Sequence, residues 1–180
     1  MPFSLIPEYA LTREDRQQVA DLVQRVFPDD EYRGRAYFKQ HAHARILLKE
    51  EGQLIGHVGL DYRVMTVNKE PVNVLGLIDV VVLPERHGQR IGSQLLAEVD
   101  RIAATNQHNI DALFLVADRH SFYARAGYRL VAQTVTWLRI DQQINYGMKT
   151  ERFDQDFMVK EMGNYVWPDE AELDMLGYWY

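Results

Sequence analysis

The sequence predicts an α/β fold on one mixed sheet, an antiparallel meander joined to a single parallel β-α-β crossover. Three observations predict it. Apolar and β-branched runs at 44–50, 54–67 and 72–83 are separated only by short turn segments, the pattern of a meander. The third run stops at Pro84, and a basic, glycine-punctuated loop then leads into a stretch of helical period. Another short apolar run, Asp111–Ala117, follows that helix, so the two runs flanking it are expected to lie parallel through a right-handed crossover.

In chain order, Phe3–Leu11 reads as an edge strand. Thr12 offers an N-cap, with Asp15 where a capping box normally carries Glu or Gln. Val19, Leu22, Val23 and Val26 then recur at helical spacing until Pro28. Tyr32–His41 is a shorter helical candidate with Tyr37 and Phe38 inward. After the meander, Ile91, Leu95, Leu96, Val99, Ile102 and Ala103 share one helix face, which runs out by Asn106–Asn109. Arg119–Ala126 is a short helix ended by Gly127. Tyr128–Ile140 is a strand with Leu130, Ala132, Thr134, Thr136 and Leu138 on one face; Asp141–Gln155 reads as a polar loop, and Asp156–Met162 as a hairpin partner.

The chain of 180 residues is expected to form one domain, with 163–180 as an aromatic C-terminal extension. That extension would complete the core, lid an acceptor, or line a homodimer interface. A net charge of −6 argues against general binding to nucleic acid or an anionic membrane, yet leaves room for a local basic patch that holds a small phosphorylated ligand. The absence of cysteine excludes disulfides, thiolate metal sites and cysteine nucleophiles. Six histidines without HExxH spacing give no reason to expect a metal. The first fifteen residues lack the pattern of a signal peptide, and no apolar run approaches the roughly 18 residues of a membrane span, so the expected location is cytoplasmic.

The stretch Leu75–Leu96, LGLIDVVVLPERHGQRIGSQLL, holds the chemistry. Its apolar run is expected to be a strand buried on both faces. The loop brings positive charge and backbone amides to a helix start, where an anion is favoured. It therefore reads as a phosphate cradle.

With these elements in place, the chain resembles the GNAT superfamily of N-acetyltransferases. The resemblance rests on Val80-x-Val82-x-Pro84, on His87-Gly88-Gln89-Arg90-Ile91-Gly92 before a helix, and on Phe122-Tyr123-Ala124-Arg125-Ala126-Gly127-Tyr128, which is similar to the family's F-Y-x-x-x-G-[FY] segment. Against the family's loop pattern [QR]-x-x-G-x-[GA], His87 stands in the first place, Arg90 where glycine is usual, and Gly92 fits. The resemblance implies a GNAT-like acyl-CoA N-acyltransferase fold. It implies acetyl-CoA as co-substrate, its pyrophosphate on His87, Gly88, Gln89, Arg90, Ile91, Gly92 and Ser93, and its pantetheine arm along Val80, Val81 and Val82. It also implies Tyr123 as the acid that protonates the departing thiolate.

The residues themselves add two candidates. Asp79 interrupts an apolar strand, and a buried carboxylate needs a partner. It would take the amine's proton or bind a cationic acceptor; otherwise a bulge or sheet edge exposes it. His57, Asp61 and Arg63 share a strand face if the alternation is unbroken, with His57 an alternative base or a structural histidine. The expected reaction is acetyl transfer to a primary amine of a small molecule or peptide, by direct attack in a ternary complex. The alternatives are a non-catalytic acyl-CoA-binding module, and an N-acyltransferase that uses a longer donor.

Overall fold

The structure is a computed structural model that describes residues 3–28 and 32–180. It divides into two compact units, Met1–Asp61 with Leu77–Asp100, and Tyr62–Gly76 with Arg101–Tyr180. Two strands and one helix run through both.

In the first unit, β1 (Phe3–Pro7) pairs antiparallel with β2 (Ala44–Glu50), and β2 with the opening half of β3 (Gln53–Val67). The closing half of β4 (Glu70–Val82) belongs here too, and the Leu83 amide just beyond it donates to Ile55 O at 2.9 Å. Helix α1 (Arg13–Val26) starts in a complete capping box: the Asp15 amide donates to Thr12 Oγ1, and Asp15 accepts from the Thr12 amide. The aspartate serves because Lys49 Nζ also holds it, at 2.6 Å, and these contacts lower its pKa. Helix α2 (Ile91–Thr105) buries Ile91, Leu95, Leu96 and Val99. Gly56 makes room for it, since a Cβ there would stand 3.1 Å from Leu95 Cδ1.

The helix expected over Tyr32–His41 does not form; the segment is turns and bends. Arg33 and Gly34 are left-handed in succession (φ 51° and 72°), which a right-handed helix cannot contain. The inward residues are Tyr32 and Ala36, while Tyr37 and Phe38 are half-buried.

The second unit holds the closing half of β3, the opening half of β4, β5 (Ala112–Val116), α3 (His120–Ala124), β6 (Arg129–Asp141), β7 (Ile144–Glu161) and β8 (Glu170–Tyr178). β4 and β5 pair in parallel over Val74–Gly76, with α2 between them in sequence. β5 pairs with β7, β7 with β6, and β6 in parallel with β8. β8 meets β3 at Thr66 and Val67, so six strands form a closed ring. Inside it lie Met65, Val74, Phe114, Val135, Phe157 and Trp167.

One expectation changes here. The polar segment after Asp141 is no loop: Gln142 and Gln143, both left-handed, make a two-residue turn, and β7 begins at once. Leu130, Ala132, Thr134, Thr136 and Leu138 do share one face of β6, the outer one; the inward face is Val131, Gln133, Val135 and Trp137. The aromatic tail fills the core of this unit. Trp179 sits among Trp137, Phe153 and Phe157 with ring centroids 4.6–5.0 Å away, and Tyr180 lies against Gly76. Among the described residues, no helix is long and apolar enough to cross a membrane.

Candidate functional site

The strand, loop and helix from Leu77 to Ser93 all lie in the first unit. The strand is not buried on both faces as expected. Leu77 and Val81 are buried, but Ile78, Val80 and Val82 are half-exposed. Two features open it. The pairing of β4 with β5 ends at Gly76, and Asp79 takes a left-handed φ of 50°, the mark of a bulge. Beyond Leu83 a 3-10 turn, Pro84–Arg86, redirects the chain, and His87 Nε2 donates back to Val82 O at 3.1 Å. The backbone from His87 to Arg90 then runs exposed into α2.

Gly88 (φ 79°) and Arg90 (φ 62°) are both left-handed, and no atom stands within 4 Å of where a Gly88 Cβ would be. Arg90 O accepts from the Gln94 amide at 3.0 Å, which places Arg90 at the helix start. The first turn of α2 carries no acidic side chain, so its amides and helix dipole face an approaching anion without opposition. Arg86, one of the loop's cations, is paired with Glu50, while Glu85 pairs with Arg25 of α1. The Leu83 amide is committed to Ile55, and strand alternation turns the Val81 amide to that same side, towards β3.

Asp79 anchors a buried polar network that the sequence showed only in part. Its carboxylate accepts from Tyr32 Oη at 2.5 Å, and its other oxygen lies 4.0 Å from Arg45 Nη1. Arg45, 1% exposed, donates Nε to Glu8 at 2.7 Å and Nη2 to Ala36 O. Glu8 also meets Arg16 and His41. Arg45 pairs in register with Gly59 of β3, where a Cβ would stand 3.1 Å from Ile78 O. Glu8, Tyr32 and Arg45 were missed, although Arg45 breaks the apolar run ARILL just as Asp79 breaks its own. Side-chain exposure of 11% keeps Asp79 within reach of a ligand.

His57 is different. It is 0% exposed, and neither ring nitrogen has a hydrogen-bond partner among the described residues. Burial, and then the Arg45 charge, hold it neutral, well below its ordinary 6.5. Asp61 is equally buried and lies 2.6 Å from His43 Nδ1. Arg63, expected on the same face, falls in the second unit, where it donates to Tyr178 O at 2.9 Å and lies over the Tyr178 and Tyr180 rings.

Tyr123 also belongs to the second unit. It sits in the one-turn helix α3, whose exit is fixed by Gly127 at φ 88° and by the Tyr128 amide donating to Tyr123 O. The buried aromatic is Tyr128; Phe122 is half-buried, with its ring 4.9 Å from that of Tyr123. Burial, and then the negative charge of Asp118, push the Tyr123 phenol up to about 12, so it stays a proton donor through neutral pH. Among the described residues, no group of three or more His, Asp or Glu is placed to hold a metal.

An α/β fold with a mixed sheet and an amide loop opening a helix defines a class, and comparison with known proteins gives the family. The chain belongs to the GNAT acetyltransferases: the model of the acetyltransferase (GNAT) domain matches residues 9–131, which include both the loop and the Tyr123 segment. An aminoalkylphosphonate N-acetyltransferase from Salmonella typhimurium is 36% identical over 93 residues, which cover 49% of this chain and 58% of that one. A GNAT family acetyltransferase from Brucella melitensis, solved in complex with acetyl-CoA, superposes with a TM-score of 0.58 at 16% identity, covering 96% of this chain and 94% of that one. A probable N-acyltransferase from Enterococcus faecalis gives 0.59 at 18% identity, covering 73% of this chain and 33% of that one. These structures share the fold. The chain spans little more than half of the Salmonella relative and a third of the Enterococcus protein.

Proposed function

We propose that the protein transfers an acetyl group from acetyl-CoA to a primary amine of a small molecule, by direct attack in a ternary complex. The observation that carries this reading is the bulged, half-exposed strand that feeds an exposed amide loop with two left-handed residues, in a chain of the GNAT family. The amides of Gly88–Ser93 and the side chains of His87 and Arg90 take the pyrophosphate, while Val80–Val82 line the pantetheine arm. With no cysteine in the chain, no thioester intermediate can form on a thiol, and the amine must attack the donor itself.

Three tasks follow. The amine loses a proton, the oxyanion takes a hydrogen bond, and the leaving thiolate takes a proton. Asp79 suits the first better than His57, because its carboxylate keeps some exposure while His57 has none. The Val82 amide, which strand alternation turns away from β3, suits the second. Tyr123, held protonated by its surroundings, suits the third. The Salmonella relative's name supports a small-molecule amine as acceptor, and a net charge of −6 favours a cationic one.

The test is thiol release from acetyl-CoA across a panel of amines that includes aminoalkylphosphonates. Tyr123→Phe is expected to lower turnover by about 100-fold or more, in the range of general acid catalysis, with acetyl-CoA affinity unchanged. Full turnover in that variant removes Tyr123 from the mechanism.

A further inference from the structure

The β6–β7 hairpin leaves one strand edge bare. β7 pairs with β5 over Phe157–Glu161, and Asp156 O accepts from the Ala117 amide just beyond β5, so from Ile144 to Gln155 its edge on that side has no strand partner among the described residues. All of 144–152 are exposed, including Ile144 (54%), Tyr146 (52%) and Met148 (58%). A long edge with exposed apolar side chains is a template for another strand. From Met148 to Phe153 its pairing with β6 runs without a shift, so this part is regular enough to template one.

The charges identify the strand that fits. The sequence there is Met-Lys-Thr-Glu-Arg-Phe. An antiparallel copy related by a two-fold axis through the sheet places each residue opposite its mirror about the axis. An axis at 149, 151 or 152 stacks Lys on Lys, Glu on Glu or Arg on Arg. An axis at Thr150 places Lys149 opposite the partner's Glu151 and Glu151 opposite the partner's Lys149, and sets Met148 against the stem of the partner's Arg152. Lys149 and Glu151 now bond each other along the strand at 2.5 Å, an exposed arrangement that can be exchanged for one across the edge.

We propose that the β7 edge is an isologous docking surface for a second copy of this chain, joined antiparallel about a two-fold axis at Thr150. The dimer so formed continues the sheet from one copy into the other. The inference is independent of the acetyl-transfer chemistry.

The natural chain has no cysteine, which makes the test clean. Facing Cα atoms in an antiparallel ladder are about 4.5 to 5.5 Å apart, within reach of a disulfide. Thr150→Cys is therefore expected to cross-link to dimer under mild oxidation. Met148→Cys, facing the partner's Arg152, is expected to stay single. By light scattering, the wild-type chain should show twice its 21.0 kDa mass. Lys149→Glu should return it to 21.0 kDa, and Lys149→Glu with Glu151→Lys should restore the dimer. Circular dichroism checks that each variant is folded. A wild-type chain that stays monomeric at high micromolar concentration overturns the proposal. So does a dimer that Lys149→Glu leaves intact, or one in which Thr150→Cys fails to cross-link.

Discussion

Arg90 occupies a backbone conformation made for another residue. Its φ of 62° explains why glycine is usual at this place in the family's loop, and why an arginine there holds strain. Arg90→Gly is expected to raise stability by about 1 kcal/mol, the low end of the left-handed penalty for a side chain, as read from the urea midpoint. A drop would mean that the guanidinium makes contacts worth more than the strain. His57 makes a second prediction. Its pKa is depressed in the folded chain, so the unfolded chain takes up the proton first as pH falls through 6.5. Stability should be steady above that pH and decline below it, and His57→Gln should flatten the decline between pH 7.5 and 5. An unchanged slope would show that other groups carry the acid sensitivity. At this scale Asp79 was legible because a lone carboxylate in an apolar run is an anomaly. Its partners were not, because Glu8, Tyr32 and Arg45 are brought to it from three distant segments.

Among the elements, those with ordinary chemical signals were the readable ones. The Thr12 capping box and the apolar face of α2 follow from spacing and punctuation alone. The β6–β7 turn was missed because Gln142 and Gln143 lack the Asn-Gly signal of such hairpins, although both adopt its left-handed conformation. The Tyr32–His41 segment misled in the opposite direction: its composition suits a helix, yet Tyr32 and Ala36 are drawn inward by turns. Within the second unit, β4 and the C-terminal tail are matched at one point. A Cβ on Gly76 would stand 2.0 Å from Tyr180 Oη, and that ring packs edge-on against Phe114. Gly76→Ala should cost about 1 to 3 kcal/mol, as overpacking does, and Gly76→Ala combined with Tyr180→Ala should cost less than the sum of the two. Additive costs would show that the tail does not rest on Gly76.

Across the whole molecule, the α/β class and the family were legible because a few stretches carry both. The loop from His87 to Gly92 departs from the family pattern, yet the family match spans 9–131 and takes in the Tyr123 segment as well. The closing of six strands into a ring in the second unit was not legible, since the two-residue contact of β8 with β3 joins residues more than a hundred positions apart. Nor was the opening of β4 beside Asp79, which depends on where its pairing with β5 stops. That opening leaves Ile78, Val80 and Val82 half-exposed. The most direct test of the central claim is amide hydrogen exchange with and without acetyl-CoA. Slowed exchange is expected at Gly88–Ser93 and Val80–Val82 when acetyl-CoA is added. Unchanged exchange in those segments, with protection appearing elsewhere in the chain, would contradict it.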